Sequence, residues 1–376
     1  MPAESNLSVH RRSLLGLALG AVATAALAQS SPMKPAPEVE TRSLDELHRA
    51  ALAEGGKLVV YAGGDTRTSS AGLELAFKTR FPGMDARIVT DLSKYHDARI
   101  DHQLARGRLE CDVAQLQTLQ DYDRWKNEGQ LLHYKPLDWD ALLPEFRDPD
   151  GAFFAMTVAA FSNVSNATLI PEAQAPRDAL DYLGPKLRGK LVMTYPHDDD
   201  AVLYQFDRIV ATHGWEFVDR LMTQEVLWMR GTAPTRLVVA EGRKVATFTA
   251  SAPLVPAANS PLRFQLPRRE IFQAWGQTAA IFREASNKAS ARLYTSWLCS
   301  KEATSARTTQ WSARRDVPAP GGYGPLSNYN ADPQAYRRFM TDRARVERLK
   351  AQFELVLGPV VGPNPTGASG TYLLPA

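Results

Sequence analysis

Apolar and polar positions along the chain fall into short blocks that alternate between two periods. Ser43 to Glu54, SLDELHRAALAE, sets Leu44, Leu47, Ala51 and Leu52 at helical spacing behind a Ser cap, with Glu46 in the first turn, and stops at Gly55-Gly56. Lys57 to Ala62, KLVVYA, is a Val-rich run suited to a buried parallel strand, and the turn Gly63-Gly64-Asp65-Thr66 follows it. Helical spacing returns in Ser69 to Arg80; Ala86 to Thr90 reads as a second strand, Tyr95 to Arg106 as a helix and Asp112 to Leu116 as a third strand. This alternation predicts a βαβ unit with a parallel sheet. A second set begins after Gly151. Phe153 to Val164 reads as extended, GKLVMTYP (189–196) as a buried strand, Asp200 to Thr212 and Trp215 to Gln224 as helices. Val226 to Met229 is a strand, Leu237 to Glu241 a short helix and Lys244 to Thr249 a strand; Gln277 to Phe282 leads into a helix over Lys288 to Cys299. Asp316 to Pro325 is a long loop, Asp332 to Leu357 is helical, and the tail from Gly358 to Ala376 is irregular. The pattern predicts two α/β lobes, each with its own strands, rather than one sheet.

Composition narrows this. With 376 residues and 44% hydrophobic content the chain can bury a large core, and a net charge of +3 predicts no basic stripe and hence no nucleic-acid partner. The N-terminus places His10-Arg11-Arg12-Ser13 ahead of an uncharged Leu/Ala/Gly run from Leu14 to Leu27, ending in Ala26-Leu27-Ala28. That predicts an export signal over residues 1–28 cleaved after Ala28, with an arginine pair like that of the twin-arginine route; an ordinary positive head is the alternative. A periplasmic location follows. Residues 29–42 are rich in Pro, Ser and charge and read as a flexible lead-in. No later stretch reaches the ~18 apolar residues of a membrane span. Cys111 and Cys299 form no metal pattern and read as small buried hydrophobes, with a disulfide between them as the alternative.

Four segments, EGGKLVVYAGGD, LELAFKTRFPGMDARIV, CDVAQLQTLQDYDRWKNEGQLLHY and ASARLYTSWLCSKEA, resemble in order and spacing the periplasmic solute-binding proteins of ABC importers, in the branch that includes ferric-iron binders. The resemblance runs from about Leu44 to Asp316. It implies a type II periplasmic-binding-protein fold: two α/β lobes, each a mostly parallel sheet flanked by helices, joined by crossings near Phe153 to Val164 and Gln273 to Phe282. Lobe I is then 43–155 plus 275–376 and lobe II is 156–274, with the ligand in the cleft between them. It also implies a monomeric, non-enzymatic protein without a cofactor that delivers a small solute to an inner-membrane permease. Ferric members carry adjacent ligand tyrosines where this chain reads Thr247-Phe248-Thr249-Ala250-Ser251-Ala252-Pro253, so that iron arrangement is missing. A ferric binder using Tyr195, aspartates and an exogenous anion, and an exported enzyme on the same fold, stand as alternatives.

The candidate site lies at the carboxyl ends of strands, where open α/β sheets bind ligands. Tyr195 ends one strand, and Asp198-Asp199-Asp200 open the next helix. One aspartate suffices for a cap and three in a row repel one another, so the run either only starts the helix or places at least one aspartate on a ligand; because carboxylates already occupy this positive helix end, the second lobe is expected to prefer a cationic or hydroxyl-bearing group. In the first lobe Gly64, Asp65, Thr66, Arg67 and Ser69 suit a carboxylate, phosphate or phosphonate, or else form a plain hydrophilic turn. Gln117 and Thr118 follow the third strand, and Arg230 and Thr232 follow a second-lobe strand. A cleft of this kind is polarised, and fits a solute with an amine at one end and an acid at the other. Enzyme signatures are weak. Gly184 to Lys190 matches the start of a P-loop, but Leu191 stands where Ser/Thr is needed; there is no H-E-x-x-H or G-x-S-x-G.

Overall fold

The computed structural model describes residues 36–367. The export signal and its cleavage site, expected over 1–28, lie outside the described residues. In chain order, β1 (Glu38–Val39), α1 (Leu44–Glu54), β2 (Lys57–Gly63), α2 (Ala71–Arg80), β3 (Asp85–Asp91), α3 (Ser93–Ala105), β4 (Val113–Leu116), α4 (Leu119–Asn127) and β5 (Tyr134–Lys135) come first. Then follow β6 (Phe154–Asn166), β7 (Val192–Thr194), α5 (Asp200–His213), α6 (Glu216–Met222), β8 (Leu227–Met229), α7 (Thr232–Ala240), β9 (Ala246–Ala250) and β10 (Leu262–Gln265). β11 (Gln273–Ile281), α8 (Lys288–Cys299), α9 (Lys301–Arg307), α10 (Ala335–Thr341) and α11 (Arg343–Leu357) complete the order.

The first lobe grows from the βαβ pattern. β2 lies between β3 and β4, parallel to both, and buries Leu58, Val60 and Ala62 under α1 and α8. A capping box starts α1: Ser43 accepts from Glu46 N, while the Glu46 carboxylate accepts from Ser43 N. β1 pairs with β5, and the Glu40 carboxylate takes the Tyr134 hydroxyl at 2.8 Å. The last residues of the expected flexible lead-in are therefore ordered by a strand pair and a buried acid.

β6 is the spine of the molecule. Phe154 to Phe161 pairs antiparallel with β11, which pairs in turn with β4; Ser162 to Asn166 pairs with β9 and β10 instead. One strand thus leaves the first sheet and enters the second, and β11 makes the return. In the second lobe β7 and β8 are parallel, and Leu191 bridges in parallel to Ala246 beside β9. The second-lobe sheet is therefore mixed rather than mostly parallel, since β9, β6 and β10 run antiparallel.

Two expectations are corrected here. Asp332 to Leu357 is two helices: Asp342 breaks it, its side chain accepting from Arg345 N to cap α11. α11 also packs away from the lobe assigned to it, while α10 bridges the two lobes, its Arg337 pairing with Asp123 on α4 at 2.9 Å. Phe339 lies against Tyr204, and Phe353 lies between Phe206 and Trp215, with ring centroids 4.9 to 5.4 Å apart. Val346, Leu349 and Phe353 form one helical stripe that covers the apolar face of α5, so the second lobe takes this part of the chain. Cys111 and Cys299 are free and buried, and burial pushes both thiols up.

Candidate ligand cleft

Strand ends from both lobes meet at a cavity of about 350 Å3. The first lobe supplies Gly63, Gly64, Asp65, Ser69 and Ser70 after β2, Leu92, Ser93 and Lys94 after β3, and Gln117 after β4. Asp198, Asp199 and Asp200 after β7, Thr232 and Ala233 after β8, and Ser251 after β9 face them. The crossing strands form the floor with Met156, Phe161, Trp275 and Gln277. Close approach at the rim depends on glycine: a Cβ on Gly63 would stand 2.1 Å from Ser93 Oγ.

The three consecutive aspartates have three different tasks. Asp198, 6% exposed, accepts from Arg230 Nε at 2.9 Å and from Lys94 Nζ at 2.7 Å, the lysine arriving from the opposite lobe. Burial pushes its carboxyl up, but the Arg230 hydrogen bonds and the Lys94 charge together outweigh burial and hold it below the usual range. Asp199 caps α5, its Oδ1 accepting from Ala201 N and Val202 N at 2.9 and 3.0 Å, while Gln117 reaches its Oδ2 at 3.3 Å. Burial first, then the Asp65 charge, raise the Asp199 carboxyl to about 7. Asp200 Oδ1 lies 2.9 Å from Lys350 Nζ on α11.

Asp65 does what the sequence could not announce. Its Oδ2 accepts from Thr232 N at 2.7 Å, from Ala233 N at 3.0 Å and from the Thr232 hydroxyl. α7 has no cap of its own, because Gly231 precedes it at φ 77° with no side chain to offer. A carboxylate of one lobe therefore caps a helix of the other, occupying the positive end that would attract a ligand anion. Arg230 adds a further link, donating to the Tyr95 hydroxyl at 3.2 Å.

Of the residues expected to contact a ligand, Gly64, Asp65, Ser69, Gln117, Asp198, Asp199 and Thr232 line the cavity, whereas Thr66, Arg67, Thr118, Tyr195 and Arg230 do not. Arg67 turns to the C-terminal segment, donating to the Thr366 and Gly367 carbonyls at 2.7 and 2.9 Å, so the expected anion-binding half of a polarised cleft loses its guanidinium. Thr366 in turn donates its hydroxyl to buried Asp91 at 2.8 Å. Tyr195 stacks on Trp228 behind the cavity wall. Thr66 hydrogen-bonds Ser69 within its own turn, and Thr118 is buried at the start of α4. Sequence reasoning missed Ser93, Lys94, Gln115, Thr157 and Ser251; the rule that found Gln117, position just past a strand's carboxyl end, also marks Ser93 and Lys94.

No family model and no curated protein matches the chain. Solved structures do. Iron-bound HitA from Pseudomonas aeruginosa superposes with a TM-score of 0.62 at 16% identity, covering 79% of this chain and 99% of that one. The periplasmic binding protein AfuA from Actinobacillus pleuropneumoniae, with fructose-6-phosphate bound, gives 0.63 at 17% identity over 80% and 98%. The substrate-binding protein of an ABC transporter from Agrobacterium tumefaciens gives 0.66 at 16% identity over 80% and 94%. The spine strand, the paired lobes and the cavity between them agree with that likeness: this chain has the two-lobe fold of the periplasmic binding proteins.

Proposed function

We propose that the chain is the exported substrate-binding component of an ABC transporter, capturing a small solute between its lobes and handing it to a membrane permease. The observation that carries this reading is the cavity itself, built from strand ends of both lobes and spanned by Asp65 on α7 and Lys94 on Asp198. Those contacts join groups that separate when the lobes part, which is how a hinge protein couples closure to an occupied cleft. The similar structures include substrate-binding, iron-bound and sugar-phosphate-bound proteins. A binding role is favoured over a catalytic one because Asp65, Asp198, Asp199 and Lys94 are engaged in capping and closing contacts. No helix of the described residues is long and apolar enough to cross a membrane. A periplasmic monomer reached through the N-terminal signal belongs to the same proposal. Small-angle scattering with and without the solute that co-purifies from the native host tests it: the radius of gyration falls on binding, with no turnover of the solute. An identical profile with binding independently verified, or conversion of the solute, would exclude the reading.

A further inference from the structure

Resting on that reading, we infer that the cleft takes a compact organic cation, its ammonium or guanidinium seated between Asp65 and Asp199 and a neutral acceptor group turned to Trp275.

The first ground is how the carboxylates around the cavity are compensated. Asp198 has Arg230 and Lys94, and Asp200 has Lys350. Asp65 and Asp199 have no cation within ion-pair distance among the described residues; each leans on the amides of a helix N-terminus. They also repel one another, and that repulsion helps keep a proton on Asp199. A ligand cation between them supplies the missing charge.

The second ground is that an anion finds little to bind on the second-lobe side of the cavity. The amides that begin α5 and α7 are taken by Asp199 and Asp65. Lys94, the cation that lines the cavity, is held by Asp198, and Arg67 is turned away. The second-lobe helix ends that would hold a phosphate are filled by the protein's own acids, whereas α2 and α3 of the first lobe reach the cavity without a side-chain cap.

The third ground is independent of the acids. Trp275 lines the same cavity, is 3% exposed, and its indole N–H has no acceptor among the described residues. A buried donor left unpaired is costly, so an occupant with an oxygen or nitrogen acceptor is favoured. The aromatic floor of Phe161 and Trp275, set edge to face 5.0 Å apart, also suits a cation better than an anion.

The test uses a matched series on the full-length exported protein: 4-aminobutanamide, 4-hydroxybutanamide and succinic monoamide, which share an amide and differ in carrying an ammonium, a hydroxyl or a carboxylate. Titration calorimetry is run on wild type, Asp65→Asn, Asp199→Asn and Trp275→Phe, beside native mass spectrometry of the co-purifying solute. Asn retains an acceptor for the helix amides, so the acid variants keep their caps. The ammonium member is expected to bind best, to weaken about 30-fold in either Asn variant, and to weaken more in Trp275→Phe than 1,4-diaminobutane does, since the diamine has no acceptor to lose. A co-purifying solute with a cationic group supports the inference even where the short probes bind too weakly to measure. Preference for the hydroxyl or carboxylate member, unchanged affinity in both Asn variants, or a co-purifying solute that is neutral, anionic or a metal ion overturns the inference and leaves the binding reading standing. Absence of any co-purifying solute together with no binding by any probe counts against the binding reading itself.

Discussion

Replacing Asp65 by Ala removes one carboxylate and, with it, all the capping hydrogen bonds that join the first lobe to the start of α7. An N-cap contributes about 0.5–2 kcal/mol, and hydrogen bonds to a charged group reach ~1.5–3 kcal/mol. Asp65 is half-buried, and in the open form water replaces it at α7, so a figure near 2 kcal/mol in favour of closure is reasonable, equivalent to about 30-fold in the open-to-closed equilibrium. The contact exists only when the lobes meet, so its loss shifts that equilibrium and leaves each lobe's own packing alone. Spin labels at Leu75→Cys on α2 and Asp219→Cys on α6, both exposed, report the interlobe distance, and the native cysteines are buried away from the reagent. In ligand-free Asp65→Ala the short-distance population should shrink toward zero, with Asp65→Asn intermediate because its amide oxygen still accepts. Apparent affinity falls with the closed fraction, up to the same 30-fold when the closed form is rare. An unchanged distance distribution in Asp65→Ala, or a ligand-free wild type with no closed population at all, would refute this account of closure.

Asp198→Asn leaves the partly buried Arg230 without its countercharge and should cost about 2 kcal/mol in urea unfolding, less than the ~3–5 kcal/mol of a fully buried broken pair; a loss below ~1 kcal/mol would contradict the pairing. Because the Asp198 carboxyl is held below its usual range, that stabilisation is present above the unfolded value near ~3.9 and fades as pH falls through the lower folded value, so the gap between the proteins closes in acid. Asp199 has the opposite sign: its folded value of about 7 means the folded state keeps a proton that the unfolded chain has released, so wild type loses stability as pH rises from ~4 toward 7. Asp199→Asn should gain on wild type across that window, and a pH-independent difference would count against it. Thr366→Val deletes the hydroxyl bond to Asp91 while keeping size, and stopped-flow release of solute should quicken several-fold; an unaltered rate would mean the C-terminal segment does not restrain opening. Replacing Arg11 and Arg12 by Lys should block a twin-arginine route, and normal export of the double variant would rule that route out.

The first strand of the first lobe was legible because a Val-rich run bounded by glycine carries a strong local signal, as in Lys57 to Ala62, whereas the two crossings were located through the resemblance. The loops that reach the cavity were legible by position, since each follows a strand's carboxyl end. Side-chain direction was not. Asp65 finds its amides 167 positions away, and Arg67 finds its carbonyls 299 positions away, so neither role leaves a trace in its neighbourhood. Lys94 was overlooked because it sits inside the first turn of α3, where a charged residue reads as a solvated helix face. The destination of α11 was hidden for a related reason: its apolar stripe announces a buried face but not which lobe will receive it. β10, four residues long, was too short to separate from the loop around it.

That late helix pair bears on how the chain reaches its folded state. The core around Phe206 is closed by Tyr336, Phe339 and Phe353, so the second lobe lacks one wall until residues more than a hundred positions downstream have been synthesised. The first lobe is likewise split, with β4 waiting for β11 to arrive from beyond every strand of the second lobe. Pairings of such long reach make for slow folding, and neither lobe can be finished on the ribosome before the other is nearly complete. Under the proposed export, a chain built this way is either held unfolded until it has crossed the membrane or completed beforehand and moved as a finished body. The arginine pair at residues 11 and 12 fits the second course.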